Sequence, residues 1–178
     1  MIPSATKILL PSSALVALVG PAGAGKSTFA AANFRPSQIL SSDQCRLLVS
    51  DDEADQSASA AAFAVLYFIA ARRARRGRLT VIDATNVRRA DRQRLFWLAE
   101  RYKRAPIAIL FALPLALCLA QNQARVGRQV EPAIVRAQWQ QMPASAELLL
   151  EEGFSAVYAF HAGGEAAAAR IAVAGTGP

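Results

Sequence analysis

The sequence predicts an α/β fold, a parallel sheet of about five strands flanked by helices. Two observations predict it. Short apolar, often β-branched runs alternate with longer stretches in which apolar residues recur at helical spacing. A glycine-rich segment, Gly20-Pro21-Ala22-Gly23-Ala24-Gly25-Lys26-Ser27, stands between the first such run and the first such stretch. Alternation of this kind belongs to a sheet whose crossovers are helices. A chain of 178 residues fits a single domain, 1–178. A chain of that size buries about 70% of its unfolded surface. No internal repeat or linker divides it.

Residues 1–13 form a lead-in, with Ile8-Leu9-Leu10 packing or making a short edge segment. Ala14–Val19 is continuously apolar, as a strand covered on both faces must be. Lys26 to Asn33 is helix-forming, and Pro36 ends that unit. Gln38–Ser41 reads as a second strand. Ser41 or Ser42 caps a helix from Asp43 to about Val49. Residues 50–55 are an acidic loop. A long helix runs from Gln56 to about Arg76, with Phe63, Leu66, Tyr67 and Ala70 at helical spacing, and Gly77 suits its end. Leu79–Asp83 is a third strand and Arg88 to about Arg104 an amphipathic helix. Pro106–Leu113 is a fourth strand and Leu115–Arg125 a helix. Gly127 breaks that helix, and Pro132 opens another to about Met142. Ser145 caps a short helix to Glu152, and Phe154–Phe160 is a fifth strand. The alanine-rich tail from Gly163 reads as a helix fraying toward the end.

The glycine-rich segment fits G-x-x-x-x-G-K-[ST], the phosphate-binding P-loop, and it has the strand before it and the helix after it that the motif needs. The glycines allow a tight turn that aims backbone N–H groups at phosphate oxygens. The helix N-terminus adds partial positive charge. Gly20, Gly23, Ala24, Gly25, Lys26, Ser27 and Thr28 are the candidate nucleotide cradle. Lys26 reaches the β- and γ-phosphates, and Ser27 ligates Mg2+. The expected nucleotide is ATP, and an Asn-Lys-x-Asp guanine-reading motif is absent.

The formal net charge is +7, which suits a polyanionic partner or reflects a generic arginine-rich composition. Cys45 and Cys118 lack metal-type spacing, and a reduced, cytoplasmic protein is expected. Met1–Ser4 does not begin a signal peptide, and no apolar run reaches the roughly 18 residues of a membrane span, so no membrane partner is expected.

Ligands of parallel sheets bind beyond the carboxyl ends of the strands. Gly20, Ser42-Asp43 and Asp83 all follow strand ends. Asp43 and Arg46 share a helix face. Asp43 would take the proton of an attacking hydroxyl, and Arg46 would hold an anionic group of the acceptor. The alternative is a helix cap paired with Arg46. Asp83 would hold Mg2+ directly or through water, with Thr85 and Asn86 steadying its loop, or be a turn residue. Arg125 and Arg128 flank Gly127 as a lid over the phosphates or lie on a solvated surface. Arg72, Arg73, Arg75, Arg76 and Arg78 complement a helix C-terminus or contact nucleic acid. His161 is a surface residue without a role.

Gly-Pro-Ala-Gly-Ala-Gly-Lys-Ser-Thr, Ser-Ser-Asp-Gln-Cys-Arg, Ser-Asp-Asp-Glu-Ala-Asp-Gln, Val-Ile-Asp-Ala-Thr-Asn-Val and Arg-Val-Gly-Arg-Gln-Val occur in this order. Together, over residues 12–160, they resemble the 5′-kinase domain of bacterial polynucleotide kinase-phosphatases. The resemblance implies a P-loop kinase-like fold with a helical lid over about residues 115–142. It implies ATP-dependent phosphorylation of RNA or DNA 5′-OH ends in nucleic-acid repair. Lys26, Asp43, Arg46, Arg125 and Arg128 then form the catalytic set. Arg46 engages the phosphate beside the terminal nucleotide, and Arg125 and Arg128 contact the nucleotide phosphates. One position departs: Gln121 stands where the family has a further lid arginine. Family members often continue into phosphatase and ligase domains, whose Gly-Asp-x-His and Lys-x-Asp-Gly motifs are absent here. Those activities would belong to partner domains or proteins. The alternative is a small-metabolite kinase on the same scaffold. A nucleotide-dependent switch leaves the Asp43–Arg46 pair unused.

Overall fold

The computed structural model describes residues 7–174. The readings of Met1–Ser4 and of the fraying end at 175–178 lie outside the described residues. Five strands form one parallel sheet in the order β3-β4-β2-β5-β6. They are β2 (Leu15–Val19), β3 (Ile39–Ser41), β4 (Thr80–Asp83), β5 (Pro106–Phe111) and β6 (Ala156–Phe160). β2 is central and buried along its whole length. The chain adds β3 and β4 on one side of it, then β5 and β6 on the other. The switch point therefore lies at the carboxyl end of β2, where such sheets bind ligands.

The two faces of the sheet bury separate cores, because successive side chains of a strand point to opposite faces. Val16 and Leu18 of β2 face a core shared with α1 (Lys26–Asn33), α5 (Leu115–Gln123) and α6 (Pro132–Gln140). Leu15, Ala17 and Val19 face α2 (Ser42–Ser50), α3 (Ser59–Arg75), α4 (Arg89–Tyr102) and α7 (Ala146–Glu152). α3 approaches the sheet through Ala62, Leu66, Ala70 and Ala74, all buried. Small residues at this spacing let the helix lie close to the strands. Under the glycine-rich loop, Phe29, Phe111 and Phe160 pack ring to ring, with all three centroid distances 5.5 Å.

The tail departs from expectation. Among the described residues of the tail, only Gly163–Ala168 is helical (α8). Arg170–Ala174 is then a strand, β7, paired in parallel with β1 (Lys7–Pro11). Alanine raises helix propensity, but tertiary packing overrides it here. Ile8 and Leu10 of β1 are fully buried, and Ile171 and Val173 pack against the same cluster. Lys7–Pro11 is thus held by Arg170–Ala174. Cys45 and Cys118 are free and buried in different cores. Among the described residues no helix is long and apolar enough to cross a membrane.

Candidate active site

The loop after β2 is shaped by backbone and packing together. Gly20 N donates to the carbonyl of Thr85 at 2.9 Å, which joins it to the loop after β4. Gly23 and Gly25 adopt φ of +78° and +81°, a region that disfavours side chains. At Gly23 space is also exhausted. A Cβ there would overlap the carbonyl oxygen of Cys118 and come within 3.0 Å of Asn122. At Gly25 there is open space, so that glycine answers to conformation alone. Lys26 opens α1 and is buried, and its Nζ donates to the carbonyl of Pro21 at 2.7 Å. Burial pulls its pKa down to about 8, against the pull of the Asp83 carboxylate. Ser27 and Thr28 are exposed on the first turn, where helix N–H groups lack intrahelical partners.

A cleft of about 860 Å³ lies over this loop. It reaches Asp83, buried at the end of β4, and Thr85. Asn86 holds that turn in a left-handed conformation, φ 49°. Its Nδ2 donates to Leu18 O at 2.8 Å and also reaches Ile82 O and Ala84 O. A short polar side chain that bonds the local backbone is suited to such a position. This is the steadying role expected of Asn86.

The opposite wall carries Asp43 and Arg46 on α2. The cap of α2 is Ser41, whose Oγ accepts from Gln44 N at 3.4 Å, so Asp43 is not the cap. Asp43 does pair with Arg46. Arg46 is buried, and its Nε donates to the carbonyl of Glu53 at 2.9 Å. Arg128 approaches from the other side, Nη1 to Asp43 Oδ1 at 3.0 Å. Both guanidinium groups use Oδ1. Among the described residues, no hydrogen bond engages Oδ2, and the Asp43 side chain keeps 35% exposure.

Arg128 sits on the segment between α5 and α6, with Arg125 and with Gly127 at φ +98°. The segment is pinned, not free. Asn122 Nδ2 donates to Val130 O at 2.7 Å, and Val130 N donates to Asn122 Oδ1 at 3.1 Å. From α6, Gln138 Oε1 accepts from Ala22 N at 2.9 Å, tying this segment to the glycine-rich loop. Arg125, Arg128 and Gln121 all line the cleft.

The fold thus brings together every catalytic candidate: Lys26, Asp43, Arg46, Arg125 and Arg128 line one cleft with Ser27 and Asp83. Gly20 stands behind it, bonded to the Thr85 loop. His161 is exposed and apart. Arg73 of the basic cluster turns inward, donating to Thr80 Oγ1 at 3.1 Å and Leu79 O at 2.8 Å. Sequence reasoning missed Gln138, Asn122, Phe63 and Arg88 as parts of the cleft or its supports. It also missed the buried pair Arg92–Glu152, with Nη2 to Oε1 at 2.6 Å. For Gln138 and Arg92 no local pattern announces the role, since Ala22 and Glu152 lie far off in the chain.

Comparison with solved structures shows the fold. The chain is similar to the Mycobacterium tuberculosis APS kinase CysC, solved with AMPPNP and APS, at 15% identity and TM-score 0.58, covering 89% of this chain and 94% of that one. A candidate kinase from Chloroflexus aurantiacus matches at 17% identity and TM-score 0.58, over 85% and 86% of the chains. The tunicamycin resistance protein of Deinococcus radiodurans matches at 13% identity and TM-score 0.53, over 87% and 91%. A search of curated proteins found no match. These likenesses, with the strand order and the glycine-rich loop, are those of a P-loop kinase-like fold. The profile of the AAA domain family AAA_33 matches residues 15–149, most of the length, and the chain belongs to that family.

Proposed function

We propose that this protein is an ATP-dependent kinase that phosphorylates a hydroxyl on an acceptor bearing a nearby anionic group. The observation that carries this reading is Asp43 lining the same cleft as the phosphate loop, with Oδ1 held by two arginines and the side chain still 35% exposed. A carboxylate fixed in this way is oriented to accept a hydroxyl proton. The hydroxyl oxygen then forms a bond to the γ-phosphorus, the bond to the β–γ bridging oxygen breaks, and ADP leaves. Arg46, buried at its neck and at the cleft wall, would hold the acceptor's anion. Arg125 and Arg128 would meet the charge that spreads over the moving phosphoryl group. Ser27 and Asp83 offer the oxygen donors that Mg2+ prefers, and bound phosphates and water would complete its shell. The ion would neutralise phosphate charge.

Two acceptors are open to such a site. The finer reading is the 5′-OH end of RNA or DNA. It is supported by the Ser-Ser-Asp-Gln-Cys-Arg and acidic-loop motifs, by the net charge of +7, and by an aromatic, Phe63, at the cleft wall. The second reading is a small metabolite. The comparisons back it better, because similar folds carry the names of APS kinase and gluconokinase, the latter at 12% identity and TM-score 0.51.

The test is incubation with γ-labelled ATP, Mg2+ and a 5′-OH oligonucleotide, beside a panel of small alcohols and sugar acids. Label on the oligonucleotide, with an apparent KM that rises with salt, supports the first acceptor. Label only on a compact, salt-insensitive acceptor establishes the second. Label on neither, with ATP bound, overturns the kinase reading.

A further inference from the structure

The face formed by α3 and α4 carries arginines laid on exposed or half-exposed rings. Arg94 lies over the Tyr67 ring at 5.7 Å, and Arg101 over the Trp97 ring at 5.5 Å. Tyr67 stacks on Phe63, with centroids 6.5 Å apart and an interplanar angle of 25°. Phe63 is at the cleft wall. Arg94, Trp97 and Arg101 are three and four residues apart on α4, hence on one side of that helix. The rings and cations therefore form a continuous line that starts inside the cleft and leads away along the molecule.

Two observations give this line a use. Trp97 is 58% exposed, although burial would stabilise a side chain of that size by several kcal/mol. Among the described residues, no ion pair involves Arg94 or Arg101, so their charge is not neutralised by a carboxylate of the chain. A guanidinium lying on a ring still presents its N–H fork at the edge, where a phosphate can accept from it. Alternating rings and cations, without a base-reading groove, are the means by which single strands are bound regardless of sequence.

We infer that the α3–α4 face is a track for a single-stranded nucleic acid, with Tyr67, Arg94, Trp97 and Arg101 contacting the nucleotides that trail the end held in the cleft. This rests on the nucleic-acid reading of the acceptor. Charge selects the occupant: a phosphate backbone complements the row of arginines, and bases complement the rings. An acidic protein would satisfy the arginines and leave Trp97 without a partner.

The experiment measures KM for 5′-OH oligonucleotides of two to about twelve nucleotides, in wild type and in Arg94→Ala/Arg101→Ala and Trp97→Ala. All three positions are exposed, so the variants fold. In wild type, KM falls as the acceptor lengthens. In the variants, KM for the long acceptor rises about fivefold to tenfold, while KM for the dinucleotide and for ATP stays unchanged. The double arginine variant also lowers the slope of log binding against log salt by about 1.4. A KM independent of length, or variants equal to wild type on the long acceptor, overturns the track and leaves the acceptor reading intact. If no oligonucleotide is phosphorylated, anisotropy with a labelled single strand decides. Salt-sensitive binding lost in the variants keeps the track and removes the acceptor reading, whereas no binding removes both. Competition by polyglutamate equal to that by the oligonucleotide assigns the face to an acidic protein and overturns the proposal.

Discussion

The two walls of the cleft are built by different means. On the donor side, backbone does the work. The loop from Gly20 to Gly25 turns through positive φ, packs against α5 at Gly23, and leaves N–H groups at the mouth of α1. On the acceptor side, charged side chains do it. Asp43, Arg46 and Arg128 come from α2 and from the α5–α6 connection, and they are held in place by one another. A backbone cradle recognises what every nucleoside triphosphate shares. A side-chain wall can be altered without disturbing that cradle, so on the proposed function specificity for an acceptor would reside there. Substitutions on the acceptor wall should therefore change chemistry and spare ATP binding, and substitutions in the loop should do the reverse.

The largest expected effect is at Asp43. Asp43→Asn keeps the shape but removes the proposed base, and kcat should fall by about 10² to 10⁴. ATP affinity, read by calorimetry, should stay within about twofold. Turnover like that of wild type would remove Asp43 from the chemistry and erase the contrast between the walls. Next comes Gly23→Ala. A methyl at that position collides with Cys118 and Asn122 and must also sit at φ +78°, so about 3 kcal/mol of stability should go, together with ATP binding. Gly25→Ala meets no atom and carries only the conformational penalty, about 1–2 kcal/mol. Thermal unfolding of the pair separates packing from conformation. Equal losses would mean that α5 yields to the Gly23 methyl.

Arg46 sharpens the contrast further. Arg46→Ala removes one of the two cations on Asp43 and the expected partner of the acceptor's anion. The acceptor KM should rise about 10- to 100-fold, with the KM for ATP little changed. Arg46→Lys should recover only part of the loss, because an ammonium cannot reproduce the fork that joins Asp43 and the Glu53 carbonyl. Parallel losses for ATP and acceptor would place Arg46 on the donor side.

The same division decides what could be read from the sequence. The donor side is contiguous, so eight consecutive residues and their flanks announce it. The five strands and the two-sided cover of the first follow from apolar runs that carry their own length signal, whereas the order of the strands in the sheet does not. The acceptor side was legible as far as each pair lay on one helix, as Asp43 and Arg46 do. What joined them was not legible. Arg128 reaches Asp43 across 85 residues, and Gln138 reaches Ala22 across 116. Long-range bonds of this kind leave no local period. The tail failed for the related reason that alanine favours helix only where nothing else competes, and β1 offered Ile171 and Val173 a buried place.

The smallest effect tests the donor wall by titration. Lys26 is charged below its pKa of about 8 and neutral above it, because burial outweighs the attraction of Asp83. A triphosphate stabilises the charged form, so the complex holds its proton to higher pH than the free protein does. Between about pH 8 and the raised pKa of the complex, binding must therefore take up a proton. Affinity for ATP should be flat below pH 7 and fall above 8, by at most about tenfold per unit. Calorimetry in buffers of different ionisation enthalpy counts the proton directly. The stability of the free protein moves the other way in this window. The unfolded chain still binds the proton that the folded one has lost, so the contribution of Lys26 to stability rises with pH. Lys26→Arg, charged throughout, should bind ATP without the fall. A flat wild-type profile from pH 7 to 9, with no proton taken up, would mean that Asp83 holds Lys26 charged in the empty cradle. The donor wall would then depend on an ion pair, as the acceptor wall does.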